Sequence, residues 1–248
     1  TVMPMGLANA PAIFQRAMNQ TLRAYTGLQG FVRVYMDDII IYSKNMVDHA
    51  EHVEAVMAAL SKEGYCCRPE KCVFGANEVP YLGHVISGAG LAVDPMKVAL
   101  VRDWPAPTDV NQVRSFVGLV QYFRRFIKDL AVHLAPLTAL TKKDVPFNWS
   151  AACQIEFDHV KQALISAPVL AMPDFSLPFQ MYTDASVFGC GGILMQDGRV
   201  VAYCGKKFTG AQHNWTTTEQ ELYALVYALE TWRCYLEGTK VELFTDHQ

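Results

Sequence analysis

Between residues 10 and 25 the apolar side chains Ile13, Phe14, Ala17, Met18 and Leu22 recur on one side behind Pro11, which predicts a helix. The period then changes. Residues 31–36 and 39–43 are β-branched and aromatic and read as two strands, with a tight turn at Asp37 and Asp38. Helical spacing returns over 48–61, where Val53, Val56, Met57 and Leu60 fall at i, i+3, i+4 and i+7. Asp48 is placed to cap that helix and Gly64 to end it. Short strand signals follow at 72–74 and 81–87, with SGAG at 87–90 as a turn.

WPAPTD at 104–109 breaks the periodicity and marks a boundary. Asp109 then opens a helix carrying Val113, Phe116, Val117, Val120 and Phe123. A further helix fits 151–166, and MPDFSLP at 172–178 reads as a linker. The remaining stretch has strand patterns on either side of Asp197-Gly198, a pair that tolerates the positive φ of a type I′ hairpin. A long amphipathic helix follows, with Leu222, Leu225, Val226, Leu229 and Leu236 in register, a Thr218-x-x-Glu221 capping box and Gly238 at its end. VELFTD reads as one more strand.

Composition changes this picture little. With 248 residues, 51% of them hydrophobic and 18% charged, the chain has material for real cores and for more than one domain. The net charge of -3 does not advertise a polyanion partner, but the average hides a basic segment. Between Lys97 and Lys128 six basic residues face two acidic ones. Seven cysteines with no CxxC fit neither a disulfide framework nor a zinc ribbon, so free thiols in a reducing compartment are the simplest reading. No apolar run approaches membrane-spanning length. The opening on Thr1 and the stop in LFTDHQ read as cut ends, so a piece of something longer is expected.

Two acidic sets carry candidate chemistry. Asp37 and Asp38 sit at a hairpin tip, where carboxylates reach a hard cation that completes its shell with water and phosphate. A solvated turn accounts for the same residues. Asp184, Glu221 and Asp246 close or open three separate elements, a pattern that serves either a metal site or three independent caps. His49-x-x-His52 has metal-ligand spacing but no third ligand nearby, and zinc is declined. The glycines of 189–192 lack a phosphate-loop ending and fall in a strand pattern, where glycine marks a bulge or a close approach.

The motifs then reach a family. VYMDDIIIYSKN resembles the YxDD signature of reverse transcriptases, and MPMGLANAPAIFQRAMN (3–19) looks like the motif before it in gypsy-type LTR retrotransposon Pol polyproteins. KCVFGANEVPYLGHVIS (71–87), RSFVGLVQYFRRFI (114–127) and PVLAMPD (168–174) are similar to their FLGH, thumb and connecting segments. YTDAS, TEQELYAL and FTDH match the first three acidic motifs of the fused RNase H domain. The matches run in order along essentially the whole chain.

The resemblance implies an α+β multidomain chain. Its parts would be a partial right-hand polymerase palm (1–88), a helical thumb (89–148), a connection (149–176) and a C-terminally truncated RNase H-like α/β domain (177–248). It implies an RNA-directed DNA polymerase with fused RNase H, copying retroelement RNA by two-metal nucleotidyl transfer and cleaving the RNA strand of the hybrid. Two Mg²⁺ or Mn²⁺ ions per site would be the cofactors. Asp37 would be the main polymerase ligand, supported by Asp38, while Asp184, Glu221 and Asp246 would carry the hydrolase metals. Met5, Gly6, Asn9, Ala10 and Pro11 match the nucleotide pocket, together with Tyr35 and Met36 of the signature. Tyr81, Leu82 and Gly83 match the primer grip. Lys71 is a candidate for protonating pyrophosphate, or a surface lysine. Arg114, Arg124, Arg125 and Lys128 would contact duplex phosphates without sequence preference.

Implied partners are a template-primer, an RNA–DNA hybrid, deoxynucleoside triphosphates and the rest of the polyprotein (fingers, protease, integrase), with no membrane. The implied place is intracellular, in the cytoplasm or a virus-like particle. The family site needs an Asp upstream of the MPMG-like motif and a fourth hydrolase acid after Gln248, so the chain alone is expected to be inactive. A different class of reading is a catalytically dead or domesticated remnant that at most binds nucleic acid.

Overall fold

The computed structural model describes residues 6–26 and 30–245. Met5 and Asp246 therefore lie outside the described residues. The chain is a mixture of helix and sheet in two compact units, one ending at Leu82 and the other beginning at Gly83.

In the first unit, α1 (Ala10–Thr26) carries Pro11 in its first turn, where the missing N–H costs nothing. Strands β1 (Val32–Tyr35) and β2 (Asp38–Ile41) form an antiparallel hairpin. Helix α2 (Met46–Lys62) joins them in a small core of Met18, Leu22, Val32, Val56 and Leu60. A 3-10 turn at Pro69–Lys71 and strand β3 (Glu78–Tyr81) complete the unit.

The second unit opens with the hairpin of β4 (His84–Ser87) and β5 (Gly90–Val93). Five helices follow: α3 (Pro95–Arg102), α4 (Val110–Tyr122), α5 (Leu130–His133), α6 (Ala135–Ala139) and α7 (Ala151–Ile165). They enclose one core, in which Phe116, Phe123, Phe126, Leu137, Phe157 and Leu164 are buried. Strands β6 (Phe179–Ser186), β7 (Gly189–Gln196), β8 (Arg199–Lys207) and β9 (Val241–Thr245) form a sheet in the order β8-β7-β6-β9. Only the β6–β9 pair is parallel, because α8 (Thr217–Thr231) and α9 (Arg233–Leu236) carry the chain back between them. Phe179, Met181, Leu194, Ala228 and Trp232 form the second core, between this sheet and α8. Leu91 and Leu170 exchange two 2.8 Å backbone hydrogen bonds at the junction of the two cores. Gly90 is needed there, since its φ is +136° and a Cβ would collide with the Leu170 carbonyl.

Several expected elements shift. The first hairpin turns on Met36 and Asp37, while Asp38 is already in β2 and pairs with Tyr35. This register sets Val34 against Ile39 and Val32 against Ile41. A turn one residue later would misalign those pairs. Asn45, not Asp48, caps α2, accepting from the Asp48 N–H at 2.9 Å. No strand forms at 72–74, and the expected strand at 81–87 is interrupted at Leu82 and Gly83, whose φ values of 49° and 70° make a tight turn. Helix α3, capped by Asp94, was not anticipated. The capping box of α8 is Thr216 with Glu219, two residues before the expected pair.

Candidate catalytic sites

The two-residue turn of the first hairpin places Asp37 at the exposed tip and Asp38 at the start of β2, also exposed. Met36 takes φ 56°, a left-handed conformation that glycine favours at the first position of such a turn. Gln15 on α1 reaches this turn. Its Oε1 accepts the Met36 N–H at 2.6 Å, and its Nε2 donates to the Val34 carbonyl at 3.0 Å. Sequence reading missed Gln15, because the partners are 21 and 19 residues away and nothing local marks them. Tyr35 is exposed. The Tyr81 phenol is held above its usual pKa, first by burial and then by the negative charge of Asp38.

Gly6 takes φ 92° and the Asn9 carbonyl accepts the Ile13 N–H, so both shape the entry to α1. Lys71 ends the 3-10 turn with an exposed side chain, and among the described residues no hydrogen bond or ion pair ties it to the acids. His49 and His52 both turn Nδ1 to the Ser43 hydroxyl, at 3.2 and 2.7 Å, and His52 stacks on Phe31 with ring centroids 3.4 Å apart.

In the second unit Asp184 is exposed on β6, opposite Gly191 of β7. Glu221 lies in the second turn of α8, and its Oε1 accepts the Ala185 N–H at 3.1 Å. The shifted capping box makes this possible: Glu219 serves the helix end, with its carboxyl lowered by the Thr216 N–H, and Glu221 turns to the strand. Thr245, which precedes Asp246 in sequence, pairs with Thr183, which precedes Asp184. Burial pushes the neighbouring Cys190 thiol up to about 11 and the Cys204 thiol to about 12. The 189–192 glycines mark close approach, since Gly192 faces Trp232 and Cys204.

The basic residues do not share one surface role. Arg114 and Lys128 are exposed, and Arg114 donates to the Thr141 carbonyl at 3.3 Å. Arg124 lines a cavity of about 60 Å³ with Tyr203, Tyr227 and Thr231. Arg125 is half-buried and donates to the Tyr235 hydroxyl at 3.2 Å, which commits it to the core of its own unit.

Among the described residues no three His, Cys, Asp or Glu side chains converge on one point. Each set still offers two carboxylates, which suit a hard divalent cation that keeps waters and accepts substrate phosphates. No described helix is long and apolar enough to cross a membrane.

Residues 1–86 match the profile of "Reverse transcriptase (RNA-dependent DNA polymerase)", and residues 149–243 that of "RNase H-like domain found in reverse transcriptase". The chain is 37% identical over 259 residues to the Retrovirus-related Pol polyprotein from transposon gypsy of Drosophila melanogaster, covering 99% of this chain and 25% of that protein. It is 35% identical over 262 residues to the polyprotein from transposon opus of the same organism, covering 99% of this chain and 26% of that protein.

The chain belongs to the reverse transcriptase and RNase H family of LTR-retrotransposon Pol polyproteins.

This is an enzyme family of RNA-directed DNA polymerases with an RNase H-like domain. The chain is also 35% identical over 254 residues to the Transposon Tf2-3 polyprotein of Schizosaccharomyces pombe, covering 100% of this chain and 19% of that protein. It spans about a quarter or less of the length of these relatives. Its fold is similar to the foamy viral protease-reverse transcriptase dRH in complex with double-stranded DNA, with TM-score 0.89 and 23% identity. That match covers 100% of this chain and 44% of the other. The foamy viral protease-reverse transcriptase in complex with RNA/DNA hybrid gives TM-score 0.87 at 23% identity, covering 100% and 34%. The RNase H-like profile starts just before α7, although α7 shares its core with the preceding helices.

Proposed function

We propose that this chain supplies the Asp37–Asp38 hairpin to DNA synthesis, and Asp184, Glu221 and Asp246 to cleavage of the RNA strand, within a longer Pol polyprotein. The observation that carries this reading is the turn at Met36–Asp37, where Met36 takes a positive φ and Asp37 is exposed, so that a carboxylate stands at the tip of a hairpin. Asp37 and Asp38 would hold Mg²⁺ or Mn²⁺ in one site, and the second set would hold it in the other. When bound there, a pair of such ions supplies charge neutralisation for an attacking hydroxyl or water and for the leaving group.

The chain's own residues do the placing. The hairpin aims Asp37 outward, and Tyr35 and Met36 form the floor for a primer end and a deoxynucleoside triphosphate. Gly6, Asn9 and Pro11 fix the start of α1 beside that floor, with Met5 before them. Tyr81, Leu82 and Gly83 form a turn that steadies the primer. Arg114 and Lys128, both exposed, attract duplex phosphates, whereas Arg125 contributes mainly through Tyr235. Glu221 is steadied by the Ala185 N–H.

In the full-length polyprotein, Asp37→Asn should abolish primer extension while hybrid cleavage persists, and Asp184→Asn should do the reverse. Extension that survives Asp37→Asn would overturn the polymerase assignment. The 248-residue chain by itself should perform neither reaction, because the resemblance places one more acid of each site outside it. Primer-extension and hybrid-cleavage assays with Mg²⁺ check both statements.

A further inference from the structure

The geometry points to Gln15 as the positioning residue that holds the Asp37 turn in its left-handed form; this rests on the polymerase reading of that hairpin. In a two-residue hairpin closed by the Tyr35–Asp38 pair, Val34 and Ile39 form the next, non-hydrogen-bonded pair. The Val34 carbonyl therefore points away from β2, as does the Met36 N–H beyond the closing pair. These are two of the outward groups on that edge of the hairpin, both near its tip. Gln15 satisfies both, accepting from Met36 at 2.6 Å and donating to Val34 at 3.0 Å. Its carboxamide stands in for one peptide group of a third strand. A carboxamide has one acceptor and one donor at the needed separation, which no carboxylate or hydroxyl matches without loss.

The second observation is strain. Met36 carries a Cβ at φ 56°, where L-residues are disfavoured and glycine is at ease. A residue in such a conformation persists only when its surroundings over-determine it. The Met36 N–H bond to Gln15 is the restraint that the structure shows on that residue. Gln15 is half-buried and anchored from behind by α1, whose Met18 and Leu22 pack on Val32 at the base of the hairpin. The same helix thus buries its apolar face in the core and sends one polar side chain to the tip. Gln15 touches no reacting atom in this reading; it acts through the backbone that carries Asp37.

The test is a rescue. In the full-length polyprotein, Gln15→Ala should lower the extension rate at saturating nucleotide by about tenfold or more, with a smaller change in nucleotide KM. Adding Met36→Gly to Gln15→Ala should recover most of that loss relative to Met36→Gly alone, because glycine takes the positive φ without the restraint. An unchanged rate in Gln15→Ala, or a double variant that falls below Met36→Gly alone by the same factor as Gln15→Ala falls below the parent, would overturn the inference. Asp37→Asn run alongside separates the two levels: activity that survives it sinks the polymerase reading, whereas its loss beside an active Gln15→Ala sinks only the role of Gln15. Amide exchange in the 248-residue chain guards against a folding artefact. Gln15→Ala should release protection at Met36 while the Arg33 and Ile40 amides, which form a hydrogen-bonded pair across the strands, keep theirs. Release spread evenly over the hairpin would place Gln15 in general packing and refute the positioning role.

Discussion

The Asp37 hairpin stands on two four-residue strands and, among the described residues, a core of five buried side chains. Asp184 sits on an eight-residue strand, paired on both sides, over a core of ten. The first region relies on a turn in a disfavoured backbone conformation and on one amide side chain that restrains it. The second relies on register: Gln180 to Thr183 of β6 are each placed by two strand neighbours, Asp184 continues the strand opposite Gly191, and the helix above only has to deliver Glu221. A small core with a strained tip concentrates its precision in a few bonds, whereas a wide sheet spreads it over many.

The largest effect that probes this contrast is a cavity in the larger unit. Phe116→Ala removes a fully buried ring that lies 4.6 Å from the Phe157 centroid. It should destabilise that unit by about 3–5 kcal/mol in urea unfolding followed by tryptophan fluorescence. Every tryptophan of the chain lies at or beyond residue 104, so the signal reports on that unit. Leu60→Ala, in the five-residue core, should cost nearer about 2 kcal/mol, read from amide exchange in α1 and α2. A larger loss at Leu60 than at Phe116 would reverse the comparison.

A middle-sized effect locates the start of α8. Thr216→Ala should cost about 1 kcal/mol, since Thr216 and Glu219 bond reciprocally, while Thr218→Ala should cost close to nothing. The opposite order in urea unfolding would return Glu221 to a capping role and weaken its place beside Asp184.

The smallest effect is a pH dependence. The folded-state values of Cys190 and Cys204, raised by burial to about 11 and about 12, exceed the ordinary thiol range near 8.5. The unfolded chain therefore releases these protons first as pH rises. Stability is full below the ordinary thiol pKa and falls as pH climbs through the folded values. Thermal unfolding between pH 8 and pH 11 should show this decline, and Cys204→Ala should flatten it. A curve unchanged by that substitution would assign the decline to other groups.

Much of this was readable from local pattern. The helix opened by Asp109 is there, with its carboxylate accepting the Asn111 and Gln112 N–H groups. Asp197 and Gly198 take φ 50° and 72°, as a type I′ turn requires. The helix expected over 151–166 is α7. The misses share a cause. The turn residue of the first hairpin was placed one position late, because adjacent acids look like a turn and only cross-strand pairing of Val34 with Ile39 fixes the register. The Thr216 box lost to Thr218 on paper because TTTEQE offers two overlapping frames, and only the Ala185 N–H decides between them. Arg125 looked like its basic neighbours until Tyr235, 110 residues away, claimed it.

The order of motifs along the chain identified the family and the mixture of helix and sheet. These follow from short-range spacing, where residue type and period are enough. The tertiary structure alone decided which acid stands at the tip of the hairpin, which glutamate faces the strand and which amide holds Met36. The first hangs on cross-strand pairing and the other two on bonds between residues 36 and 21 positions apart, and such partners are chosen only when the chain has folded.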